Sequence, residues 1–332
     1  MRAVRVLRQN CPGLLRRSVS LETVDTPSLS REHEAFQSVL AWKLEEERQS
    51  RIERATRIRE GRYRFLAHEQ ELPDPVDWQR ASQCSPSRLW TFRLHYHEFL
   101  LDLAAAGRTS PESGWFRRAW GHVGQWIQAH PYPDRARAQA AWHPYCISRR
   151  LPVWILLWTA GAPPRHVEQA IRRSMAVQAA FLARNLEWDV RGNHLLENAK
   201  ALIWMGVFFD GPRAARWLKR GARTLQRELR EQILPHGEHF ERSPMYHARM
   251  LELVLDIRDV TQRVMFGLSS QCGQVAGRMA AFLREVLHPD GRIPLLGDSC
   301  FDEAPAPRSL LKRASTLNPR PAPDANRHPR ND

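Results

Sequence analysis

The sequence predicts a mainly α-helical protein built from antiparallel helix hairpins. Apolar residues recur at helical spacing from about residue 31 to 287, and signals for β-strands are nearly absent. The periodic stretches are broken at short Pro and Gly clusters, such as GAPP at 161–164 and DGP at 210–212. Short connections of this kind favour consecutive helices that run antiparallel and pack against each other.

Helices are predicted wherever the apolar period persists between two such breaks. Helix termini are placed at the Pro and Gly clusters and at the capping residues beside them. The predicted helices are 31–59, 89–107, 111–130, 134–147, 149–160, 164–185, 192–209, 211–233, 243–267 and 270–287.

The two ends of the chain differ from this helical body. Helix 31–59 is charged almost all round, which is typical of a solvated helix with i,i+4 ion pairs, with a nucleic-acid-binding arm as the alternative. A proline-broken connector, 71–88, precedes the main body, and the periodicity is lost after residue 288. We therefore expect a charged helical extension over 1–60, a helical domain over 61–300 and a disordered Pro/Arg-rich tail over 301–332.

The net charge indicates an acidic partner. Lys and Arg number 50 against 36 Asp and Glu, a formal charge of +14 at pH 7, and nearly all of the cations are Arg. A guanidinium pairs bidentately with carboxylate or sulfate, so an acidic polymer is the expected partner. Nucleic acid fits the charge equally well, but the sequence has no zinc-finger spacing, RNP-like motif or basic zipper, so we expect no nucleic-acid partner.

Cysteine usage and apolar runs exclude further classes. The five cysteines are scattered and contain no CxxC pair, so neither a disulfide framework nor a cysteine-based zinc site is expected. The N-terminal segment is positively charged but lacks the apolar run of a secretory signal. The longest apolar run, 151–160, is about half of the ~20 residues that a membrane span requires. No membrane insertion is expected.

A first candidate site lies at RGNHLLEN, residues 191–198. Asn193 and Glu197 are four residues apart and share one face of the predicted helix, as do His194 and Asn198. A helix start also offers free backbone N–H groups and the positive end of the helix dipole, which suits a bound carboxylate. Each residue alone is more typical of a cap or a packed side chain, but their grouping favours a site.

A second candidate site lies at HGEHFERSPMYH, residues 236–247. Gly237 predicts a turn, and Ser243 followed by Pro244 predicts an N-cap and the first helical position, so Tyr246 and His247 fall in the first turn. The segment lacks the HExxH spacing that puts two imidazoles on one helical face. We therefore expect converging polar side chains without a metal, and no cofactor.

Four stretches, with weaker blocks upstream, carry a resemblance to a known family. They are NHLLENAKAL at 193–202, WLKRGARTLQRELREQIL at 217–234, GEHFERSPMYH at 237–247 and HPDGRIPLLGDS at 288–299, and the upstream blocks are DWQ at 77–79, LWTFRLHYHEFL at 89–100 and WHPYCISRRLPVW at 142–154. Over about 60–300 the chain thus resembles the N-terminal helical toroid of the heparinase II/III family of polysaccharide lyases. The resemblance implies an all-α fold, an incomplete (α/α) toroid of antiparallel helix hairpins.

The resemblance also implies β-elimination on a glycan that contains uronic acid. The C5 proton is removed and the 4-linked sugar departs, so the neighbouring carboxylate must be neutralised and both a base and an acid are required. By the resemblance, Asn193 neutralises the carboxylate and Tyr246 is the base, the acid or both, while His194, His247 and Glu241 are candidates for orientation or charge balance. A phenol has a pKa of ~10, so Tyr246 needs nearby cations such as Arg242 to act as a base.

A further set of residues is predicted to bind the acidic sugar. Their cations suit its carboxylates, and their aromatic rings suit its sugar faces. The set comprises Arg93, His95, Tyr96, His143, Tyr145, Arg150, Glu241, Arg242 and His247.

Two alternatives to a lyase stay open. Family enzymes continue into a β-sandwich domain, whereas this sequence passes after Ser299 into the Pro/Arg-rich tail, which predicts a truncation, a frameshift or one half of a split protein. The first alternative is therefore a truncated, non-catalytic toroid that binds acidic polysaccharide. The second is a glycoside hydrolase with two opposed carboxylates, drawn from Glu197, Glu238 and Glu241.

The identity of the glycan and the compartment are also left open by the sequence. Heparin- or heparan-sulfate-like chains, alginate-like chains and exopolysaccharides all present uronates. The resemblance implies the periplasm or cell envelope, but the missing signal leaves the cytoplasm open. The sequence does not indicate an oligomeric state.

Overall fold

The computed structural model describes residues 24–45, 47–132, 140–301 and 303–317, and helices dominate it. Short 3₁₀ turns over Arg31–Phe36 and Pro111–Ser113 precede two of them. In chain order the helices are α1 (Gln37–Glu45), α2 (Arg48–Arg59), α3 (Trp78–Gln83), α4 (Arg88–Tyr96), α5 (Phe99–Thr109), α6 (Trp115–Ala129), α7 (Pro144–Ala160), α8 (Arg165–Arg184), α9 (Gly192–Phe208), α10 (Pro212–Gln232), α11 (Pro244–Thr261), α12 (Phe266–Val286) and α13 (Pro307–Ser315).

The chain divides into two compact units. The first comprises the described residues up to Glu228 together with Asp259–Phe266, and the second comprises Leu229–Arg258 and the described residues from Gly267 onward. None of the described helices has both the length and the apolar character needed to cross a membrane.

A small β-hairpin is the one sheet in the described part of the chain. Strands β1 (Arg62–Phe65) and β2 (His68–Glu71) pair antiparallel, with Arg62 opposite Glu71. The hairpin follows α2 directly, where the helical period predicted no strand. Because each strand has only four residues, its alternation is too short to stand out from the charged sequence around it.

The predicted single helix over 31–59 is wrong in two respects. The chain leaves the helical conformation at Glu47, whose φ is 56°, so α1 and α2 are separate helices. The charges of the segment are also not solvated all round, because Asp102 of α5 accepts a hydrogen bond from Arg51 at 2.7 Å. Phe36 is fully buried. This segment therefore contributes to the core of the first unit.

The predicted helices 134–147 and 149–160 also differ from the structure. Residues 133–139 lie outside the described part of the chain, and from Pro144 a single helix, α7, runs to Ala160. The break predicted at residue 148 is absent, and Pro152 lies inside that helix although a proline usually kinks or ends a helix. Packing overrides the local signal, because Pro152 and its neighbours are buried.

Helices α9 and α10 pack closely and position the first candidate site. A Cβ on Gly206 would stand 2.6 Å from the Cβ of Leu218, and one on Gly221 would stand 2.7 Å from the carbonyl oxygen of Ala199. Only glycine permits so close an approach. Since the early part of α10 meets the late part of α9, the two helices run antiparallel, as the short turn at 210–212 predicts.

The second unit contains an element that the sequence pattern missed. Helix α13 (Pro307–Ser315) lies inside the segment predicted to be disordered, so that part of the prediction is wrong. Leu310 is fully buried, and Arg313 pairs with the buried carboxylate of Asp256 at 2.8 Å. These contacts stabilise a short helix that its composition alone does not favour. Residues 318–332 lie outside the described part of the chain.

Candidate functional site

The start of α9 is set by an unusual turn. Arg191 and Gly192 have φ values of 61° and 56°, and helix α9 begins at Gly192. The turn places Asn193 and His194 in the first helical turn, where backbone N–H groups lack helical partners. Asn193 is mostly buried, while the His194 side chain keeps 28% of its exposure. His194 is therefore partly accessible to solvent.

A buried carboxylate from the preceding loop holds this helix start. Glu187 Oε1 lies 3.0 Å from His194 Nδ1, and Glu187 Oε2 accepts a hydrogen bond from Asn198 Nδ2 at 3.0 Å. The backbone N–H of Glu187 donates to Asn198 Oδ1 at 3.0 Å. His143 Nδ1 lies 3.8 Å from the same carboxylate. We call Glu187, His143, His194 and Asn198 the Glu187 cluster.

The charge on Glu187 determines the tautomer of His194. Burial alone would raise the pKa of Glu187, but the hydrogen bond and charge of His194, with help from His143 and Asn198, lower it below its ordinary value. The carboxylate is then ionised at neutral pH and can only accept hydrogen bonds. His194 Nδ1 therefore carries the proton, and in the neutral ring Nε2 keeps a lone pair.

Aromatic rings border the Glu187 cluster. The Tyr145 ring lies 4.2 Å from the His194 ring at 31°, and the Tyr96 ring lies edge-on to Tyr145 at 5.7 Å. The Phe92 ring lies 4.9 Å from that of His143, whose Nδ1 accepts the backbone N–H of Tyr145. Four predicted site residues, Tyr96, His143, Tyr145 and His194, thus belong to one connected group.

An ionic chain lies beside this group. Arg149 Nε donates to Glu98 at 3.1 Å, and Arg149 also donates to Glu197. Arg93, a predicted site residue, donates to Glu98 at 3.2 Å. The guanidinium groups of Arg93 and Arg149 lie 5.8 and 5.9 Å from the centre of the Tyr96 ring. Since Arg149 neutralises the buried Glu197, that carboxylate is poorly suited to the acid–base work of a hydrolase.

Two predicted substrate-binding residues are structural. His95 is fully buried, where it accepts a hydrogen bond from Trp126 Nε1 at 3.1 Å. Arg150 is fully buried and donates to Gln178 Oε1 at 2.9 Å and to Ala141 O at 2.8 Å. Burial lowers the pKa of Arg150 to about 9. The prediction that His95 and Arg150 contact substrate is wrong, because their polar groups are consumed inside the first unit.

In the second unit, the start of α11 positions Tyr246. Helix α11 begins at Pro244, and the Tyr246 backbone N–H donates to Ser243 Oγ at 3.4 Å, which confirms the predicted cap. Ser299 reinforces the cap, since its Oγ accepts the Met245 N–H at 3.2 Å and lies 2.9 Å from Ser243 Oγ. We call residues 243–247 the Tyr246 segment.

The environment of Tyr246 favours its protonated form. Burial raises the pKa of the phenol, and the carboxylate of Glu241 raises it further, while Arg249 opposes them. The expectation that Arg242 would lower this pKa is not met. Arg242 is 78% exposed, and its Nε lies 3.9 Å from Glu238. The phenol of Tyr246 therefore carries its proton at neutral pH.

Another predicted substrate-binding residue, His247, is internal to the second unit. Its Nδ1 accepts the backbone N–H of His239 at 3.3 Å, and its Nε2 donates to the carbonyl oxygen of Met279 at 2.9 Å. Burial lowers the pKa of His247 to about 4 and that of His239 to about 3. Both imidazoles are neutral structural groups, so the prediction that His247 binds substrate is wrong.

The other two predicted substrate-binding residues of the second unit, Glu241 and Arg242, are exposed.

Sequence reasoning missed Glu187 and Arg149. Glu187 precedes α9 in a loop, so helical spacing does not connect it with His194, and Arg149 adjoins the predicted Arg150 on α7. Part of a signal existed, because Glu187 lies seven residues before His194 and carboxylates are common partners of functional histidines. Within the described residues, no group of three or more His, Cys, Asp or Glu side chains is placed to hold a metal ion.

Comparison with known proteins identifies the family. The signature of the heparinase II/III N-terminus matches residues 30–321. The chain therefore belongs to the heparinase II/III family, as the resemblance indicated.

Individual relatives are heparin-sulfate lyases. The enzyme from Bacteroides stercoris is 23% identical over 269 residues, which cover 72% of this chain and 39% of that protein. The enzyme from Pedobacter heparinus is 26% identical over 196 residues, which cover 55% of this chain and 29% of that enzyme. The chain thus spans well under half of the relatives that it matches.

Solved structures agree with this assignment. The structure of a heparinase III superposes on this chain with a TM-score of 0.63 and 19% sequence identity. The match covers 96% of this chain and 49% of the heparinase III chain. The structure of a heparan sulfate lyase from Pedobacter heparinus superposes with a TM-score of 0.58 and 20% sequence identity. That match covers 74% of this chain and 39% of the lyase chain. At these identities the likeness shows the fold, and it confirms the predicted all-α toroid class.

Proposed function

We propose that this chain acts as a polysaccharide lyase that cleaves uronic-acid-containing glycans by β-elimination. Membership of the heparinase II/III family supports the lyase class. The observation that carries the proposal is the Glu187 cluster, in which a buried carboxylate holds the Nδ1–H of His194. This arrangement leaves Nε2 of the neutral ring with a lone pair on a partly exposed side chain, one residue from Asn193. An amide donor and a base are two of the groups that elimination requires.

Asn193 is assigned to the uronate carboxylate. Its amide lies in the first turn of α9, among backbone N–H groups at the positive end of the helix dipole. A carboxylate that accepts hydrogen bonds there is partly neutralised, which makes the C5 proton more acidic. The developing negative charge of the intermediate falls on the same donors.

His194 is assigned as the base that removes the C5 proton. The Nδ1–H bond to Glu187 holds the ring and stabilises the imidazolium that forms when Nε2 takes a proton. The ring also packs against Tyr145, which restricts its rotation. The combination of a partly exposed His194 side chain and a buried partner for its Nδ1 supports this role.

Tyr246 is assigned as the acid that protonates the departing sugar oxygen. Because burial and Glu241 raise its pKa, the phenol carries its proton at neutral pH. A tyrosine that also served as the base would need cations that lower this pKa. Its surroundings within the second unit therefore support the donor role rather than the base role.

Among acidic glycans, we favour heparin- or heparan-sulfate-like chains over alginate-like chains and exopolysaccharides. The support comes from the relatives named heparin-sulfate lyases and from the excess of guanidinium groups, which pair with sulfate as well as carboxylate. We further propose that the protein works in the periplasm or cell envelope, where such polymers are encountered.

The ultraviolet absorbance of the product tests the function. Elimination creates a conjugated double bond, whereas hydrolysis does not. We expect absorbance to rise when the protein is incubated with heparan sulfate, and the rate to fall about 10²–10⁴-fold in Tyr246→Phe and in Asn193→Ala. Tyr132→Phe is the matched control, because its ring contacts with Trp142 and Phe181 survive the loss of the hydroxyl.

Two outcomes would overturn the proposal. New reducing ends without absorbance would identify a hydrolase. Tight binding of heparan sulfate, alginate and exopolysaccharide without any turnover would identify a non-catalytic polysaccharide-binding domain.

A further inference from the structure

The outer face of α10 carries a stripe of cations outside the candidate site. Arg216, Lys219, Arg220, Arg223 and Arg227 are all exposed. Their spacing of three and four residues places them on one side of the helix. At about 1.5 Å per residue the stripe is roughly 16 Å long and offers about three cations for every two turns. The helix has no acidic residue before Glu228. We call these five residues the α10 stripe.

The fold leaves most of the α10 stripe without counter-charges. Within the described part of the chain, four of the five cations form no ion pair, namely Arg216, Lys219, Arg220 and Arg223. The fifth, Arg227, has its Nε 3.7 Å from a carboxylate oxygen of Glu228. Helix α2 is the contrasting case, since its exposed Arg48 and half-buried Arg54 pair with nearby carboxylates. A single-sign row of exposed charges attracts a polyanion and is not a source of fold stability.

The opposite face of α10 holds the stripe rigidly. Trp217 and Leu225 are buried, and Gly221 lies against the backbone of α9 at Ala199. The stripe therefore has a fixed backbone, so a ligand does not have to order the helix when it binds.

One end of the stripe reaches the loop of the candidate site. The Arg227 guanidinium lies 5.2 Å from the centre of the Trp188 ring. Trp188 is 39% exposed and directly follows Glu187, whose carboxylate holds His194. An exposed indole offers a flat apolar face, and the arginine above it offers charge.

We infer that the α10 stripe and Trp188 form a binding track that guides an acidic polysaccharide to the Glu187 loop. The identity of the polymer rests on the proposed function. A linear acidic glycan repeats its charges along the chain, as the stripe repeats its cations along the helix. Trp188 packs against a sugar ring where the track meets the loop. Contacts along the track lie outside the residues that perform the chemistry.

Equilibrium binding of a fluorescent heparin oligosaccharide tests the track. The Tyr246→Phe chain is used so that the probe is not consumed. In that background, Arg216→Gln, Lys219→Gln, Arg220→Gln and Arg223→Gln are combined. We expect Kd to rise about tenfold, because several weak exposed contacts are lost together, and the dependence of Kd on salt to become shallower. Trp188→Ala should raise Kd severalfold with little change in the salt dependence.

The matched control removes four exposed cations from four other elements, namely Arg64→Gln, Arg80→Gln, Arg108→Gln and Arg173→Gln. It has the same net charge as the stripe variant, so a general electrostatic effect would raise Kd equally in both and overturn the track. An unchanged Kd in a stripe variant with wild-type circular dichroism would overturn it too. If duplex DNA binding were lost while heparin binding survived, the stripe would be a nucleic-acid surface. These results are read from binding, so absent turnover would count against the proposed function alone.

Discussion

The Glu187 cluster and the Tyr246 segment both lie at the start of a helix, but different forces hold them. In the first unit, a buried carboxylate binds His194 and Asn198 through their side chains. In the second unit, the hydroxyl groups of Ser243 and Ser299 hold backbone N–H groups and leave the Tyr246 phenol outside that network. The first arrangement determines which nitrogen of the His194 ring carries a proton. The second determines only the position of the Tyr246 ring, and burial then raises the pKa of its hydroxyl group.

The largest expected effect is on the stability of the first unit. Glu187→Leu removes the acceptor for His194 and Asn198, so the buried Asn198 Nδ2 keeps only its hydrogen bond to Ser148 Oγ at 3.3 Å. We expect the free energy of unfolding to fall by about 3 kcal/mol or more. Urea denaturation measures it. Glu241→Leu is the control, since this exposed carboxylate in the second unit should change stability by less than about 0.5 kcal/mol. Equal losses in both variants would show that the cluster is not a special stabilising network.

Glu187→Gln sharpens the comparison at the level of chemistry. The new amide can still accept from Asn198, but it presents N–H to His194 and so forces the proton from Nδ1 to Nε2. We expect the elimination rate to fall on the order of 10²-fold. Nitrogen NMR of the histidine ring should show the change of tautomer. A lost rate without a change of tautomer would mean that Glu187 acts only on structure. Glu112→Gln, at an exposed position, is the control.

The two regions should also differ in the pH at which they lose stability. The pKa of His247 is about 4 in the folded chain against 6.5 unfolded, so the unfolded chain binds the extra proton as pH falls below 6.5. Stability from this residue is complete above pH 6.5 and decreases toward pH 4, by about 2 kcal/mol between pH 6.5 and 5. The pKa of Glu187 is lowered, so its contribution is present above the ordinary carboxyl pKa and is lost only at more acidic pH.

Denaturation at a series of pH values measures this difference. His247→Gln keeps a donor for the Met279 carbonyl oxygen but does not titrate. In this variant the free energy of unfolding should fall less steeply between pH 6.5 and 5 than in the wild type. Glu187→Gln should leave the slope between pH 6.5 and 5 unchanged and alter the pH dependence only at lower pH. The reverse pattern would contradict the assignment of the two windows.

The smallest expected effect is at the cap of α11. Ser299→Ala removes the acceptor for the Met245 N–H, and we expect a loss of about 1 kcal/mol, typical of a helix cap. Thermal denaturation should show a correspondingly small decrease in Tm. Ser50→Ala on the exposed face of α2 is the control. A loss as large as that of Glu187→Leu would remove the contrast between the two regions.

Much of the candidate site could be anticipated from local sequence. The cap at Ser243, the start of α11 at Pro244 and the place of Tyr246 in its first turn depend on neighbouring residues, and the structure confirms them. His95 and Arg150 could not be assigned in this way. Both were expected to bind substrate because of their chemistry, but Trp126 and Gln178, from other helices, consume their polar groups.

The sequence by itself determined the helical class, the positive charge and the order of the candidate residues, since periodicity, composition and capping act over a few residues. The tertiary structure decided which of those residues are buried and which carboxylate each cation or imidazole meets. The pairing of Arg149 with Glu98 and Glu197 joins residues about fifty positions apart, and that of Glu187 with His194 joins a loop to a helix. Such partners are set by the packing of distant segments, because burial and charge depend on the whole surroundings of a side chain and no local pattern records them.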